Sequence, residues 1–258
     1  MNRVEGAGLA WYRFDSWPQL HHGVFTRRGG CSPPPWESLN TGGNIGDEPL
    51  HVRRNHERIF DALAVNEKRA CTVWQVHSAD IVLAHGPVRN RRWLAKADGM
   101  LTAEPDTPLV MRFADCVPLL FNDPGRQVIG MAHAGWRGTV QDIAGRMVGL
   151  MVDAWGCQPE DIEAGIGPSI GPGCYQVGEE VVEAVECCCG TLEGLVERDS
   201  VDGSAWLDLW ACNRLLLERA GVRHIELAGL CTACHLDDFY SHRAEGGRTG
   251  RFCAVMTL

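Results

Sequence analysis

Three short motifs constrain this chain most: Val76-His77-Ser78-Ala79-Asp80, Ala114-Asp115-Cys116-Val117-Pro118 and His133-Ala134-Gly135-Trp136-Arg137-Gly138. Each puts one soft or borderline metal donor just after an apolar segment expected to be a strand, where the backbone leaves the sheet and a side chain can enter a cleft. A fold that uses all three must bring those strands together. A lone His or Cys at a strand end usually packs or hydrogen-bonds; it is the residues around the three that give the pattern weight. His77, Cys116 and His133 together offer two imidazoles and a thiolate. Three protein ligands, against the four of a structural zinc site, leave one position for water or substrate. The set suits zinc and would also accept copper. Gly135 and Gly138 permit close backbone approach, and Asp80 or Asp115 could orient a ligating imidazole.

Hydrophobic patterning places these motifs in an α/β chain. Strands are expected at Gly23–Arg27 and near 71–76, 80–84, 108–114, 117–121 and 127–133, this last group forming the sheet that carries the site. Shorter strands are expected near 162–166, 224–228 and 252–257. A helix should follow Asp47 as cap with Pro49 in its first turn. Val140, Ile143, Met147, Leu150, Met151 and Ala154 recur at helical spacing ahead of Gly156, and further helices are expected over about 178–189 and 208–220. No linker-like tract, repeat or long like-charge block divides the 258 residues, so one domain is expected over 1–258.

A formal charge of −9 argues against nucleic acid as the main partner, because phosphate-backbone binding needs a cationic face. The N-terminal stretch lacks the basic start and apolar core of a secretory signal, and no apolar run approaches the ~20 residues of a membrane span. A cytoplasmic location, without membrane association, is therefore expected. There the 12 cysteines read as thiols. Cys231-Thr232-Ala233-Cys234-His235 has the spacing of a c-type haem attachment or half a zinc ribbon, but with no second CxxC pair it is expected to be dispensable. The Cys187-Cys188-Cys189 run reads as a thiol cluster at a helix end. In Gly165-Ile166-Gly167-Pro168-Ser169-Ile170-Gly171 the prolines suggest turns rather than a dinucleotide loop, with glycines that let the loop pass close to the sheet or to substrate.

The chain resembles the YfiH-type family, whose members are also described as peptidoglycan editing factors, laccase-domain or polyphenol oxidase proteins, and purine nucleoside phosphorylases. The resemblance is carried by HHGVFTRRGGCS at 21–32, SLNTGGNIGDEP at 38–49, WQVHSADIV at 74–82, ADGMLT at 97–102, ADCVPLLF at 114–121, HAGWRGT at 133–139, GIGPSIGPGCYQVG at 165–178, DLWACNRLLL at 208–217 and FYSHRAEGGRTGR at 239–251. It departs from the family at Gly173, where a first cysteine of a Cys-Cys-Tyr run usually stands. The resemblance implies zinc at His77, Cys116 and His133, which double as the catalytic residues, and a single α/β domain, a mixed sheet flanked by helices, related to cysteine hydrolase toxins.

It also implies phosphorolysis of adenosine, inosine, guanosine or methylthioadenosine, with accompanying adenosine deamination. Metal activation of water would account for the deamination. Phosphate needs cations, for which Arg27, Arg137, Arg243, Arg248 and Arg251 in glycine-containing loops are candidates. Asn40 and Gln75 are candidates for binding ribose or base, and His242 for an acid or base. Two other enzymatic readings compete. One is an amidohydrolase editing cell-wall precursor peptides, with Cys116 as nucleophile activated by His133 but with no evident acid to orient the pair. The other is a copper-dependent polyphenol oxidase, which the absence of any His-x-His pair disfavours. A metal-stabilised binding protein is the non-enzymatic alternative. A monomer or small homo-oligomer is expected.

Overall fold

The computed structural model describes residues 1–87 and 93–258. In chain order the elements are β1 (Asn2–Gly6), β2 (Leu9–Arg13), β3 (His21–Phe25), α1 (Pro49–Leu63), β4 (Ile81–Leu83), β5 (Gly99–Thr102), β6 (Leu109–Phe113), β7 (Val117–Asp123), β8 (Val128–Ala134), α2 (Trp136–Val140) and α3 (Ile143–Trp155). There follow β9 (Glu163–Ile166), β10 (Gln176–Val177), α4 (Glu179–Cys189), β11 (Val196–Arg198), β12 (Ala205–Leu207), α5 (Leu209–Arg219), β13 (His224–Leu227) and β14 (Phe252–Thr257). Among the described residues, no helix is long and apolar enough to cross a membrane.

This is a single α/β domain, and its strands fall into two large sheets. One sheet has the order β1-β2-β3-β14-β6 and is antiparallel throughout; the other has the order β13-β9-β7-β8-β5-β4 and is mixed. A small third sheet joins β10, β12 and β11. Alternation along the strands explains the layering, because successive side chains point to opposite faces. In β7, Leu120 faces a core shared with Met111 and Phe113 of β6 and Phe252 and Ala254 of β14, while Leu119 and Phe121 face the core under α3 and α5. In β6 and β14, Val110 and Val255 point away instead, into a third core beneath α1 with Ile59 and Phe60. The order of layers is thus helix, sheet, sheet, helices. Both faces of the central strands are covered, so VPLLFND and VIGMAHA are buried along their whole length.

Several expectations need correction. The apolar segments expected to form one site-bearing sheet are split, β6 lying in the five-stranded sheet and β4, β7 and β8 in the six-stranded one. Residues 71–76 make only isolated bridges, at Cys71 and Trp74, instead of a strand. Asp47 does not cap α1. Its carboxylate is buried and accepts from Ser32 and Asn40, and Glu48 is the cap residue. The helix expected from Val140 is broken at Gln141 and Asp142. Asp142, at φ 55°, caps α3 by accepting from the Gly145 amide. The strand at Gly99–Thr102 and the hairpin β1–β2 have no counterpart among the expected strands.

α5 is capped by Asp208, whose carboxylate accepts from the Ala211 amide at 2.9 Å. Asp208→Ala should destabilise the fold by about 1 kcal/mol. Chemical denaturation should show a lower midpoint with an unchanged slope; an unaltered midpoint would mean that the cap contributes nothing.

Candidate metal centre

The three motifs meet at one edge of the sheet sandwich. Ligand atoms of His77, Cys116 and His133 all lie within 4.8 Å of one another, with His77 exposed, Cys116 half-buried and His133 buried. Each reaches this point for a different reason. His133 is the penultimate residue of β8, held opposite Pro118 by the β7–β8 ladder. Cys116 lies where the chain crosses from β6 in one sheet to β7 in the other. That crossing is sharp: Asp115 has φ 84°, a left-handed conformation that Asp tolerates better than most residues. His77, at φ 61°, tips a loop after the Trp74 bridge.

A buried carboxylate ties two of these pieces together. Asp98 Oδ1 accepts from His133 Nδ1 at 2.9 Å, and Oδ2 accepts from the amides of Val76 (3.0 Å) and Ser78 (2.7 Å) on either side of His77. The backbone carbonyl of Asp98 also accepts from the His133 amide. Burial raises the Asp98 carboxyl, but the His133 ring and the loop amides overcome this and hold it below the ordinary carboxylate range. The orienting acid is therefore Asp98 and neither Asp80 nor Asp115. Asp80 is exposed, and Asp115 is occupied by Thr232 Oγ1 (2.7 Å) and the Arg243 amide (2.6 Å). The only sequence sign of Asp98 was its place in ADGMLT.

With Nδ1 engaged, His133 has Nε2 left to offer. Burial pushes the Cys116 thiol up, but the charges and hydrogen bonds of His133 and His77 bring it down to about 6. Burial likewise lowers His133, and the Cys116 charge and Asp98 raise it to about 9. A thiolate beside two imidazoles, one with its tautomer fixed by a carboxylate, is the donor chemistry that zinc and copper take, so the residues fit a metal. Gly135 makes the convergence possible. A Cβ there would stand 2.8 Å from Cys116 Sγ and 3.4 Å from the His77 ring.

The remaining candidates separate into two groups. Asn40 is fully buried and spends its amide on Asp47, Gly42 and the Arg251 amide. Gln75 bonds the backbone of Arg112 through both its oxygen and its nitrogen. Arg27 bonds Glu37 O, Leu236 O and Glu245 and lies over the Tyr240 ring. These three brace loops. Arg251 donates to its own segment, at Thr249 O and Gly250 O, within electrostatic reach of Cys116 and Asp115. Arg137 is exposed over the Trp136 ring, and Arg248 and His242 are exposed on the turn that carries Arg243. Arg243 lies over the ring of Tyr175 at 5.0 Å and donates to Gln176 O. Tyr175, which sequence reasoning did not single out as a site residue, feels the charges of Cys116, Asp115, Arg137 and Arg243, and burial pushes its hydroxyl up to about 12. The glycine loop does run close to the sheet, Gly167 packing on Pro118.

Two outcomes test this geometry. Thiolate and imidazolium coexist in the metal-free protein only above the depressed Cys116 value near 6 and below the raised His133 value near 9. Alkylation of Cys116 after chelation should therefore switch on as pH rises through about 6; an onset near the ordinary thiol range would refute the pairing. Asp98→Asn should lower metal affinity by about 10–100-fold, and Gly135→Ala should lower it by crowding Cys116. Equilibrium dialysis of the folded variants checks both, and wild-type affinity in each would remove Asp98 and Gly135 from the site.

Comparison with known proteins matches nearly the whole chain. The family model described as multi-copper polyphenol oxidoreductase laccase matches residues 21–258. The purine nucleoside phosphorylase YlmD of Geobacillus stearothermophilus is 39% identical over 242 residues, covering 91% of this chain and 88% of that protein. The purine nucleoside phosphorylase YfiH of Escherichia coli is 34% identical over 237 residues, covering 90% and 91%. A crystal structure of YlmD from Geobacillus stearothermophilus superposes with a TM-score of 0.91 at 36% identity over 98% of this chain and 97% of that one. The Bacillus licheniformis hypothetical protein YfiH gives 0.92 at 34% identity over 99% and 98%. With the match running from the third strand to the last residue, this chain belongs to the YfiH-type family of laccase-like proteins.

Proposed function

We propose that the protein is a zinc-dependent purine nucleoside phosphorylase that cleaves adenosine, inosine, guanosine or methylthioadenosine with phosphate and also deaminates adenosine. One observation carries the reading: His77, Cys116 and His133 converge within 4.8 Å on the fold of relatives named purine nucleoside phosphorylase. Phosphorolysis forms a bond from phosphate oxygen to C1′ of the ribose and breaks C1′–N9, the electron pair leaving on the base. A bound zinc would supply Lewis acidity there and, for deamination, a water nucleophile at neutral pH. Everything else falls to the chain. Asp98 keeps the proton of His133 on Nδ1 and so keeps Nε2 free for the metal. Tyr175 with Arg243 above it makes a planar wall on which a purine can stack. The exposed guanidiniums of Arg137 and Arg248, with Arg243, supply paired donors for phosphate in an otherwise acidic protein.

A second reading has its own observation. Cys116, His133 and Asp98 form a thiolate, imidazole and carboxylate in series, so the orienting acid that the amidohydrolase alternative lacked is present. The metal decides between the two. A zinc-held thiolate is protected from alkylation until chelation, whereas a free nucleophile reacts at once.

Metal-replete protein incubated with adenosine should yield adenine and ribose 1-phosphate only when phosphate is present, and inosine without it. Arg137→Ala should raise the KM for phosphate by about 10-fold or more, with metal content unchanged. Absence of both products, together with rapid alkylation of Cys116 in the zinc-loaded protein, would transfer the assignment to the amidohydrolase.

A further inference from the structure

The Cys231–Cys234 pair has a third partner. Ligand atoms of Cys174, Cys231 and Cys234 lie within 4.8 Å of one another, the second such group among the described residues. The CxxC element has no second CxxC pair, but it has a third thiol beside it. Its missing companion is contributed by the glycine-proline loop, which lies more than fifty positions away in sequence.

Local backbone structure builds the group. Residues 231–235 form a single tight turn, the amides of Cys234 and His235 both donating to the Cys231 carbonyl, which puts the two thiols on one side. The opposing loop is docked by a parallel bridge between Ser169 and Cys231, with Ser169 N donating to Leu230 O and Thr232 N to Ser169 O. The short turn Pro172–Cys174 then carries the third thiol across, to 3.4 Å from Cys234 Sγ. The Gly171 amide donates to Cys231 Sγ at 3.2 Å, the kind of N–H···S contact that stabilises sulfur as thiolate. A Cβ at Gly171 would meet Cys231 Cβ at 3.1 Å, so glycine is what lets the strand-like loop come this close. Two sulfurs about 2.3 Å from a common tetrahedral metal lie about 3.8 Å apart. The cluster is already near that separation.

We propose that Cys174, Cys231 and Cys234 form a second metal site, for a thiophilic d10 cation (Zn²⁺ or Cu⁺), separate from His77, Cys116 and His133. Three thiols lose their protons to solvent as three sulfur–metal bonds form, with no change of oxidation state. Three thiolates satisfy Cu⁺, and Zn²⁺ would complete its shell with solvent beside the exposed Cys234. The site has a structural consequence for the first one. Thr232, inside the CxxC turn, donates to Asp115 next to Cys116, and Tyr175, next to Cys174, carries Arg243, whose amide donates to the same Asp115. A cation on the three sulfurs therefore clamps together the two segments that wall the first centre. The proposal does not depend on which reaction that centre performs.

The test is metal stoichiometry in the full chain, reduced, stripped and resupplied anaerobically with Zn²⁺ in one arm and Cu⁺ in the other. Two cations per chain are expected in at least one arm, falling to one in the double variant Cys231→Ser/Cys234→Ser and, by loss of the other site, to one in His133→Ala. Single Cys174→Ser should give the same loss and serves if the double variant does not fold. Loading with Co²⁺ supplies a readout independent of activity. The thiolate-to-cobalt absorption of the wild type, with four sulfurs bound, should fall to about one quarter when only Cys116 remains. A single cation per chain in both wild-type arms would overturn the proposal. So would full retention in the cysteine variants, or a Cys174–Cys234 disulfide persisting in the reduced, metal-supplied protein.

Discussion

The buried carboxylate of Asp98 is the contact on which the site depends. It stands just before β5, wholly inaccessible to solvent, and fixes the His133 ring with one oxygen and the His77 loop with the other. An ionised group in such a place is tolerable only when its lone pairs are filled. Asp98 meets that demand with two backbone amides, the Ser78 hydroxyl and an imidazole. The same bonds that stabilise the charge also set the distance between two ligands and the tautomer of one. Folding energy and site geometry are here a single set of hydrogen bonds.

The sandwich of two sheets supplies the third ligand. β6 and β7 are consecutive in sequence but belong to different sheets, so the residues between them must cross the gap at its rim. Cys116 sits on that crossing. The left-handed turn at Asp115 costs on the order of 1–3 kcal/mol, and the hydrogen bonds from Thr232 and from the amides of Arg243 and Ile170 hold it in place. Thr232 belongs to the CxxC turn, Ile170 to the loop that leads to Tyr175, and Arg243 to a turn from which its own side chain lies over the Tyr175 ring. Strain at Asp115, the wall of the first centre and the second thiol cluster are therefore parts of one arrangement.

The strands that border the site, of which β8 carries His133, were legible because central strands covered on both faces are continuous apolar runs bounded by polar turns. β7, β8, β9 and β14 lie where that signal places them, as do the helices α4 and α5 with Asp208 and Gly221 at their ends. What could not be read was pairing over distance. The distribution of β6 and β7 between two sheets has no periodic signature, and Asp98 looks like any acidic residue before a glycine until β5 is set beside β8. Cys174 is likewise a single cysteine in a loop until the Ser169 bridge brings it to Cys231. Asn40, Gln75 and Arg27 show the converse. Their residue types suit substrate binding, but polar groups in long buried loops must first satisfy the loop's own backbone, and these do.

The most direct measurement is an anomalous difference map from crystals of the purified protein, collected on both sides of the zinc absorption edge. The expected result is a peak bonded to Cys116 Sγ, His133 Nε2 and a ring nitrogen of His77, with His133 Nδ1 still donating to Asp98. A map in which those three atoms hold no metal, with Cys116 free and the metal bound elsewhere on the chain, would contradict the central claim.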